Sequence, residues 1–573
     1  MLFQATFYIK ILFLILVCTA TLAGRPIFDM DELFILATGL IAFAGLVFRP
    51  QKERRVRMVD VLFLMAIVYG LVNQRVFNVD LTVKYLSMAG VWFFVKESDS
   101  ARFERGLLLV VVIAAVVHSF VAVLQSFGVL SNYNYFFKTT GLFINPGPFG
   151  CYLAFALAAL VPWVLFNFKS FTKLQKAASA LTVMLLVYGL VLSDSRAAYL
   201  AVVVTVLVCL FLKVRSRIRI KGIHMGALLL LFSGIMVVLY MHRPSSAQAR
   251  LGIWKITVQA VGQKPVLGYG TDSFQRTYML KQADYLTNAD DDMRRGADEV
   301  KTAFNVPLEL LYEQGIIGLL LWCSVVFLSI KGMLEQDDKN TPMLLFPIIS
   351  FLVFSLFSYP HQIWGLTCPF IAFLSRAGYG MPYIRVGRKA DRKILWGLET
   401  LLMSALLLVF AARVLIDRNL IRYSRYDMRY SEVESYDAVN RILYRSPSLL
   451  FFYADNQMLT SDYEAVITTI NQYKKFRNSY TFERNLAYSY EITGDTVNAL
   501  EHYEVAYAMC PGYLEPVFSK FLIYENRNDE RAVPLARHIM EFSPKISNSR
   551  TRAMKNRVSE FLETIDEGPN LTY

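Results

Sequence analysis

The stretch 298–322, DEVKTAFNVPLELLYEQGIIGLLLW, contains the residues best placed for chemistry in this chain. A helix here would place Asn305 and Glu309 on one face, where an amide and a carboxylate suit hydrogen bonding and proton transfer. Gly315 and Gly318 lie three residues apart where an apolar run begins, and such spacing predicts a close contact with a neighbouring helix. We therefore expect the chemistry to take place at a membrane surface.

Asn145 and Pro146 open a second apolar run, in the segment GLFINPGPFG. Asparagine followed by proline favours a turn, so we expect the chain to turn sharply where this run begins. A helix start rich in proline and glycine is also common in membrane proteins without any chemical role.

Arg196 lies in a four-residue link between two apolar runs, directly after Asp194 and Ser195. A charge so close to hydrocarbon is costly unless it is paired or functional. Two interpretations remain open: a snorkelling arginine paired with Asp194, or a group that binds phosphate oxygens through its planar fork.

Arg250 and Trp254 share one face of a predicted helix, which is followed by a flexible turn through Gly268 and Gly270. The two glycines alone are a weak signal. Because no strand precedes them, they do not form a dinucleotide-binding fingerprint.

His361 lies in a tight predicted turn, Tyr-Pro-His-Gln, between two apolar runs. Histidine suits proton transfer near neutral pH, although a lone histidine in a turn is usually only a polar residue. His118 lies inside an apolar run, and we expect it to be buried and hydrogen-bonded. We identify no Ser-His-Asp order, no metal cluster and no cofactor motif.

The composition predicts an integral membrane protein. Of its 573 residues 55% are hydrophobic and 18% are charged, and the mean hydropathy is +0.39. The net charge of +13 lies mostly in short loops between apolar runs, which excludes the basic stripe of a nucleic-acid-binding protein. Five of the six cysteines lie inside apolar runs and Cys510 lies outside them, so neither a disulfide framework nor a zinc site is expected.

We expect an all-α fold with about 12 to 13 transmembrane helices in a polytopic membrane bundle. Thirteen apolar runs lie near 5–22, 32–48, 58–73, 81–95, 106–124, 148–166, 177–192, 197–212, 223–241, 315–330, 343–358, 363–375 and 394–415. The first run lacks the basic start and the small-residue cleavage site of a signal peptide.

The lysines and arginines between the runs predict the orientation. Six segments carry 24 of them: 49–57, 96–105, 167–176, 213–221, 331–340 and 376–393. Five alternate segments carry 4: 23–31, 74–80, 125–147, 193–196 and 359–362. The first set is predicted to be cytoplasmic, which places the insert 242–314 and the C-terminal part in the periplasm of a Gram-negative cell.

The C-terminal part, 417–573, predicts a second domain after a transmembrane domain over 1–416. Small, aromatic and proline residues match the tetratricopeptide (TPR) pattern, with weaker copies on either side: Leu486, Ala487, Tyr490, Ala499, Tyr503, Ala506 and Pro511. We expect two antiparallel helices that turn at Gly494 and a small α-helical repeat solenoid.

These motifs together resemble the bacterial O-antigen ligase and polymerase superfamily over roughly residues 115–375. The resemblance rests on the order Asn-Pro, Ser-Arg, then Arg, Trp and Gly-x-Gly, then Asn followed after nine residues by Gly-x-x-Gly. In that family a histidine usually precedes the last asparagine, and Phe304 occupies that position here. The C-terminal repeats are not part of the shared region.

The resemblance implies a metal-independent inner-membrane glycosyltransferase with no cofactor and a polyprenyl-diphosphate-linked glycan as donor. It implies that Arg196 and Arg250 bind the diphosphate. Because the usual histidine is missing, three explanations remain: Glu309 or Glu299 acts as base, His361 substitutes for it, or activity is altered or lost.

The acceptor also remains open. Transfer to lipid A core would make a ligase of lipopolysaccharide, transfer to a growing glycan a polymerase, and transfer to Ser or Thr a protein O-oligosaccharyltransferase. The repeats favour a protein acceptor or partner. A transporter or a non-catalytic membrane scaffold would also have many spans, but a transporter predicts unusual residues at mid-membrane rather than at one interface.

Overall fold

The computed structural model describes most of the chain, and the described part is nearly all helical. The described residues are 2–22, 30–49, 54–98, 101–132, 134, 136–214, 234, 244–335, 341–377, 382–386, 389–426 and 446–566. The expected all-α fold is confirmed apart from two four-residue strands, β1 (Arg54–Arg57) and β2 (Tyr383–Val386).

The helices are numbered in chain order. The first twelve are α1 (Leu2–Leu22), α2 (Met30–Val47), α3 (Met58–Val72), α4 (Val79–Glu97), α5 (Ala101–Ser126), α6 (Pro146–Asn167), α7 (Lys173–Ser193), α8 (Arg196–Val214), α9 (Pro244–Gln263), α10 (Phe274–Leu286), α11 (Asp291–Gly296) and α12 (Val306–Leu334). The others are α13 (Thr341–Ser355), α14 (Trp364–Ala377), α15 (Lys389–Tyr426), α16 (Pro447–Leu459), α17 (Tyr463–Tyr473), α18 (Tyr480–Ile492), α19 (Thr496–Met509), α20 (Glu515–Asn526), α21 (Ala532–Glu541) and α22 (Ser549–Asp566).

The helices form two compact units. The first comprises Met1–Asn73, Val79–Pro244 and Phe304–Arg422. The second comprises Gln74–Asn78, Ser245–Ala303 and Tyr423–Tyr573, so most of the predicted insert groups with the C-terminal helices. The predicted boundary at residue 416 stays a prediction.

The first unit contains the apolar helices. Every predicted apolar run coincides with one of its helices except 223–241, of which the structure describes residue 234 alone. Five described helices, within α5, α6, α7, α12 and α15, are long and apolar enough to cross a bilayer, and five more are apolar but shorter. The chain is therefore a multi-pass membrane protein, and the total of about 12 to 13 spans stays a prediction.

One end of the first unit brings basic segments together. Strands β1 and β2 pair antiparallel, which places two of the predicted cytoplasmic segments side by side. Next to β1, the buried Asp60 accepts hydrogen bonds from Lys96 and from Trp92 Nε1, the latter at 2.9 Å. This pairing agrees with one side of the bundle being shared by the segments rich in lysine and arginine.

The second unit packs its C-terminal helices in sequence order, each from α16 to α22 against the next. The predicted turn at Gly494 is confirmed between α18 and α19, with a φ of +88° that glycine adopts without strain. The residues predicted to pack there, among them Leu486, Ala499 and Tyr503, are buried. Consecutive packing occurs in several helical repeat classes, so the TPR assignment stays a prediction.

A buried carboxylate ties three of these helices together. Glu483 of α18 lies 2.6 Å from Lys474 Nζ, just after α17, and 2.7 Å from His502 Nδ1 of α19. Burial alone would raise the pKa of Glu483, but the hydrogen bond with His502 and the charge of Lys474 outweigh burial and lower it below its usual value.

Candidate functional site

Asn305 is the N-cap of α12, and its Oδ1 accepts a hydrogen bond of 3.0 Å from the backbone N–H of Leu308. Its carbonyl accepts a hydrogen bond of 2.9 Å from the backbone N–H of Glu309, so the two residues lie one turn apart. The amide is used for capping, and the expectation that it takes part in chemistry stays a prediction. Glu309 lies within the first turns of the helix and is buried.

The carboxylate of Glu309 is held by two neighbouring side chains. His361 Nε2 lies 3.1 Å and Gln362 Nε2 lies 3.0 Å from the same oxygen, Glu309 Oε1. The side chain of Glu309 is 5% exposed and that of His361 is 31% exposed. A carboxylate next to an imidazole can fix the imidazole tautomer and stabilise its protonated form, which is how a histidine base is commonly supported.

A short 3-10 helix, Pro360–Gln362, presents His361 and Gln362, which confirms the predicted tight turn. The backbone carbonyl of His361 accepts hydrogen bonds from Lys84 Nζ at 2.9 Å and from Thr367 Oγ1 at 3.1 Å. The other ring nitrogen, Nδ1, exposes less than 1 Å² and has no hydrogen-bond partner among the described residues. Hydrogen bonds thus fix the backbone of the turn. Nδ1 of His361 keeps one hydrogen bond to offer, although the atom is covered.

Phe304 precedes the cap residue with a left-handed backbone, φ +52°. It is half-buried, and its ring meets the ring of Tyr359 edge-on at a centroid distance of 5.5 Å. Part of the Phe304 ring is therefore covered by packing. The aromatic contact ties the start of α12 to the turn that carries His361.

A break at Gly315 shapes the helix behind the carboxylate. Gly315 has φ 64° and ψ −168°, angles that only glycine adopts readily. Such a break frees backbone carbonyls, and the carbonyl of Gln314 accepts a hydrogen bond of 2.9 Å from the Tyr69 hydroxyl. Asn73 Nδ2 approaches the carbonyl of Glu313 at 3.4 Å.

Gly318 follows the break at Gly315 and is buried. A methyl group there would lie 2.2 Å from Cβ of Gln314, so the space above Gly318 is filled by a side chain of the same segment. The break at Gly315 changes the direction of the preceding turn, which explains why the expectation of two glycines on one continuous helix is wrong.

The segment around Asn145 and Pro146 lies next to the link that carries Arg196. Asn145 is the N-cap of α6 and accepts a hydrogen bond of 3.0 Å from the N–H of Gly147, while Pro146 occupies the first helical position. The expected turn is therefore confirmed. A methyl group on Gly150 would lie 2.6 Å from Cβ of Ser195, so the start of α6 packs closely against the link between α7 and α8.

Arg196, which was expected in the link, is the first residue of α8, and its side chain is half-buried. Asp194 ends α7 with a left-handed backbone, φ 47°. The link is thus a tight turn that presents an arginine at the end of two apolar helices.

The segment that carries Arg250, Trp254 and the two turn glycines lies in the second unit. Arg250 and Trp254 are one turn apart on α9, and Trp254 Nε1 donates a hydrogen bond of 2.8 Å to the carbonyl of Ala303. Gly268 and Gly270 have φ of 67° and 108°, which glycine adopts without strain, so the chain turns here as predicted, and the flexibility of this turn stays a prediction.

Glu299 and His118 have structural contacts that account for them. Glu299 Oε2 accepts hydrogen bonds from the N–H of Thr481 at 3.1 Å and from its hydroxyl at 2.7 Å, at the start of α18. His118 is buried, and its Nδ1 accepts a hydrogen bond from the N–H of Leu142 at 3.3 Å, as expected. These contacts make Glu299 a poor candidate for the base.

Sequence reasoning missed Gln362, Tyr69 and Asn73. Gln362 adjoins His361 in the sequence, but only the fold brings its amide to Glu309. Tyr69 and Asn73 lie at the end of an apolar run, where polar residues are ordinary. The described residues contain no group of three or more His, Cys, Asp and Glu side chains placed to hold a metal ion.

Comparisons with known proteins agree on one class. A family model described as O-antigen ligase matches residues 181–323, which include Arg196, Arg250 and Glu309 but not His361. A Rickettsia conorii protein that carries the name "Putative polysaccharide ligase" is 25% identical over 229 residues, which cover 37% of this chain and 53% of that protein. The chain therefore spans about half the length of this relative. Both matches support a relationship between the membrane part of the chain and the O-antigen ligase superfamily.

Proposed function

We propose that this protein is an inner-membrane glycosyltransferase of the O-antigen ligase type. It moves a glycan from a polyprenyl-diphosphate donor to an acceptor hydroxyl on the periplasmic side, most simply the lipid A core of lipopolysaccharide. The observation that carries the proposal is the contact between the buried Glu309, which lies within the region that matches the ligase family model, and the partly exposed His361, which lies after that region in the sequence.

His361 is the proposed base. If Nε2 of His361 carries the proton and donates a hydrogen bond to Glu309, the lone pair of the imidazole lies on Nδ1. Nδ1 is the nitrogen without a hydrogen-bond partner among the described residues. A buried nitrogen without a partner costs about 1–3 kcal/mol, and an acceptor hydroxyl would remove that cost by donating to it. Because Nδ1 is covered in this structure, the acceptor reaches it only after a local movement.

The transfer step follows from this assignment. The acceptor oxygen bonds to the anomeric carbon of the donor sugar, the bond from that carbon to the diphosphate oxygen breaks, and the hydroxyl proton passes to His361 Nδ1. The departing polyprenyl diphosphate carries the developing negative charge. Arg196 and Arg250 are the proposed groups that stabilise it, since guanidinium groups pair with two phosphate oxygens at once.

The proposal is tested by comparing a deletion strain with strains that express the wild type or His361→Ala. We expect loss of the glycan from lipopolysaccharide and accumulation of the lipid-linked donor in the deletion and variant strains. His538→Ala, a change at an exposed histidine of α21, is the matched control and should restore transfer.

Other functions give different results in the same strains. Shortened glycan chains that still reach lipopolysaccharide would identify a polymerase, and loss of glycans from proteins alone would identify a protein O-oligosaccharyltransferase. If the deletion changes no glycan, or if His361→Ala fully complements it, the enzymatic proposal is refuted in favour of a scaffold or transporter.

The predicted orientation has its own test. An alkaline phosphatase fused after Tyr573 should be active, and a cytoplasmic reporter at the same position should be inactive. The reason is that successive segments between the apolar runs are alternately rich and poor in lysine and arginine. The opposite pair of results would place the C-terminus in the cytoplasm and contradict the count of thirteen runs.

A further inference from the structure

The insert, residues 245–303, lies in the same compact unit as the tail helices, α16 to α22. Within this unit α10 of the insert packs against α19 of the tail. The polar contacts between the two are numerous and specific, and they cluster around two aspartates of the insert.

The first cluster is centred on Asp272, which follows the turn through Gly268 and Gly270. Arg477 of the tail binds both of its carboxylate oxygens, with Nη1 2.7 Å from Oδ2 and Nη2 3.0 Å from Oδ1. Asn78 Nδ2 donates to the same carboxylate at 2.8 Å. Both partners of the ion pair are largely shielded, with 17% and 25% of their side chains exposed, and a two-bond arginine pair fixes direction as well as distance.

The second cluster is centred on Asp298, near the end of the insert. Its carboxylate accepts a hydrogen bond of 2.6 Å from the Tyr513 hydroxyl and one of 2.7 Å from Lys545 Nζ. Lys545 Nζ also binds the carbonyl of Gly296 at 3.0 Å. The next residue, Glu299, binds the first turn of α18 through Thr481.

Backbone contacts show how closely the insert and the tail approach each other. A methyl group on Gly512 would lie 2.3 Å from the carbonyl oxygen of Arg295. The backbones of the insert and the tail therefore touch at a point where no side chain fits. Gln282 of α10 donates both to the carbonyl of Met509 in the tail, at 2.8 Å, and to that of Asp298, at 2.9 Å. These contacts resemble the interior of a domain more than an encounter between separate modules.

The insert ends directly before the candidate site in the sequence. Trp254 of the insert donates a hydrogen bond to the carbonyl of Ala303, the residue before Phe304, which itself precedes the cap of the helix that carries Glu309.

We propose that the partner of the tail helices is the insert of the same chain, and that this contact positions the start of α12 for transfer. Asp272, Asp298 and Arg477 are then positioning residues, and the tail surface that contacts them is unavailable to a separate protein. The positioning role rests on the proposed transfer function, whereas the contact itself does not.

The contact is tested by cutting the chain. A protease recognition sequence inserted between residues 430 and 440 of the full-length protein allows the tail to be cleaved from the membrane part in detergent. We expect the cleaved tail to stay bound during size-exclusion chromatography at neutral pH. In Arg477→Asp combined with Lys545→Asp the tail should separate, because two attractive contacts become repulsive. Arg537→Asp, at an exposed position of α21, is the matched control and should leave the tail bound.

The positioning role is tested in the uncut protein. Arg477→Asp should lower kcat on the order of 10-fold to 100-fold with little change in the KM for donor, since misplacement affects the reacting geometry more than the binding of a distant lipid. Arg477→Lys should recover part of the loss, because it keeps the charge but only one of the two bonds.

The outcomes separate the two proposals. A wild-type tail that elutes alone after cleavage overturns the contact, and so does a charge-reversed tail that stays bound as firmly as the wild type. If the tail behaves as expected but the wild-type protein transfers no glycan, the contact stands and the proposed function fails. Normal kcat in a well-expressed Arg477→Asp variant overturns the positioning role.

Discussion

The pair of Glu309 and His361 predicts a distinct pattern of losses when its members are changed. His361→Ala removes the proposed base, and loss of a general base costs on the order of 100-fold, or about 2.7 kcal/mol. Glu309→Gln is milder, because the amide of Gln362 donates to the same oxygen as His361 and holds the new carbonyl in place. Only the charge is lost, and the difference between a charged and a neutral hydrogen bond, about 1 kcal/mol, corresponds to a loss of roughly 5-fold.

The double variant decides whether the two residues act as a unit. If Glu309 acts only through His361, the double variant should lose no more than His361→Ala alone, on the order of 100-fold. Independent contributions would multiply instead, to roughly 500-fold. The assay is transfer of a radiolabelled glycan from the lipid-linked donor to purified lipid A core by the protein in detergent.

Gln362→Ala supplies the control. It removes one hydrogen bond from Glu309 while leaving both the carboxylate and the imidazole, so a loss of only a few-fold is expected, as for one hydrogen bond of about 1 kcal/mol. Greater loss in Glu309→Gln than in His361→Ala would make the carboxylate the base. Full transfer by both single variants would refute the reasoning altogether.

Three further predictions concern the wider structure. Arg196→Ala and Arg250→Ala should each abolish transfer at normal protein levels, with only partial rescue by Lys; near-normal transfer in both would remove the diphosphate assignment. Gly315→Ala should destabilise the protein by about 1–3 kcal/mol, measured as a lower heat-aggregation midpoint in detergent, because its φ of 64° strains any other residue. Gly397→Ala, where the added methyl group would meet nothing within 4 Å, should leave that midpoint unchanged, and an equal effect of both changes would contradict the argument. Glu483→Gln should lower the unfolding midpoint of the tail helices at pH 7 by the equivalent of about 1–3 kcal/mol. The folded pKa of Glu483 is lowered, so the carboxylate stabilises the fold above its ordinary pKa of about 4.3, and the difference between wild type and variant should shrink as the pH falls below that value and be lost below the folded pKa; a constant difference down to pH 3 would exclude the ion pair as its cause.

Local features of the structure were predictable because neighbouring residues determine them. The apolar runs form helices where they are described, since runs of that length and composition bury their backbone polar groups best as helices. Asn145 and Pro146 begin a helix because an amide oxygen caps free N–H groups and proline needs none. The glycines at 268 and 270 form a turn because their backbone angles suit glycine alone.

The candidate site was predictable as a set of residues but not as an arrangement. Glu309 and His361 could each be singled out from their residue types and from their positions at the ends of apolar runs. Their contact joins residues 52 positions apart, and no local periodicity encodes it. Phe304 occupies the position of the family's usual histidine, and only the fold shows that its ring packs against that of Tyr359.

The sequence by itself determined the helices, their caps and turns, and the membrane character of the chain, because these follow from short-range backbone preferences and from the cost of placing charge in hydrocarbon. Only the tertiary structure decided that the helix breaks at Gly315, since the break depends on Tyr69 of a distant helix satisfying the freed carbonyl. It also decided that the insert packs with the tail helices rather than standing alone. That choice depends on side chains such as Asp272 and Arg477, 205 positions apart, finding each other in a shielded place where an ion pair is strong.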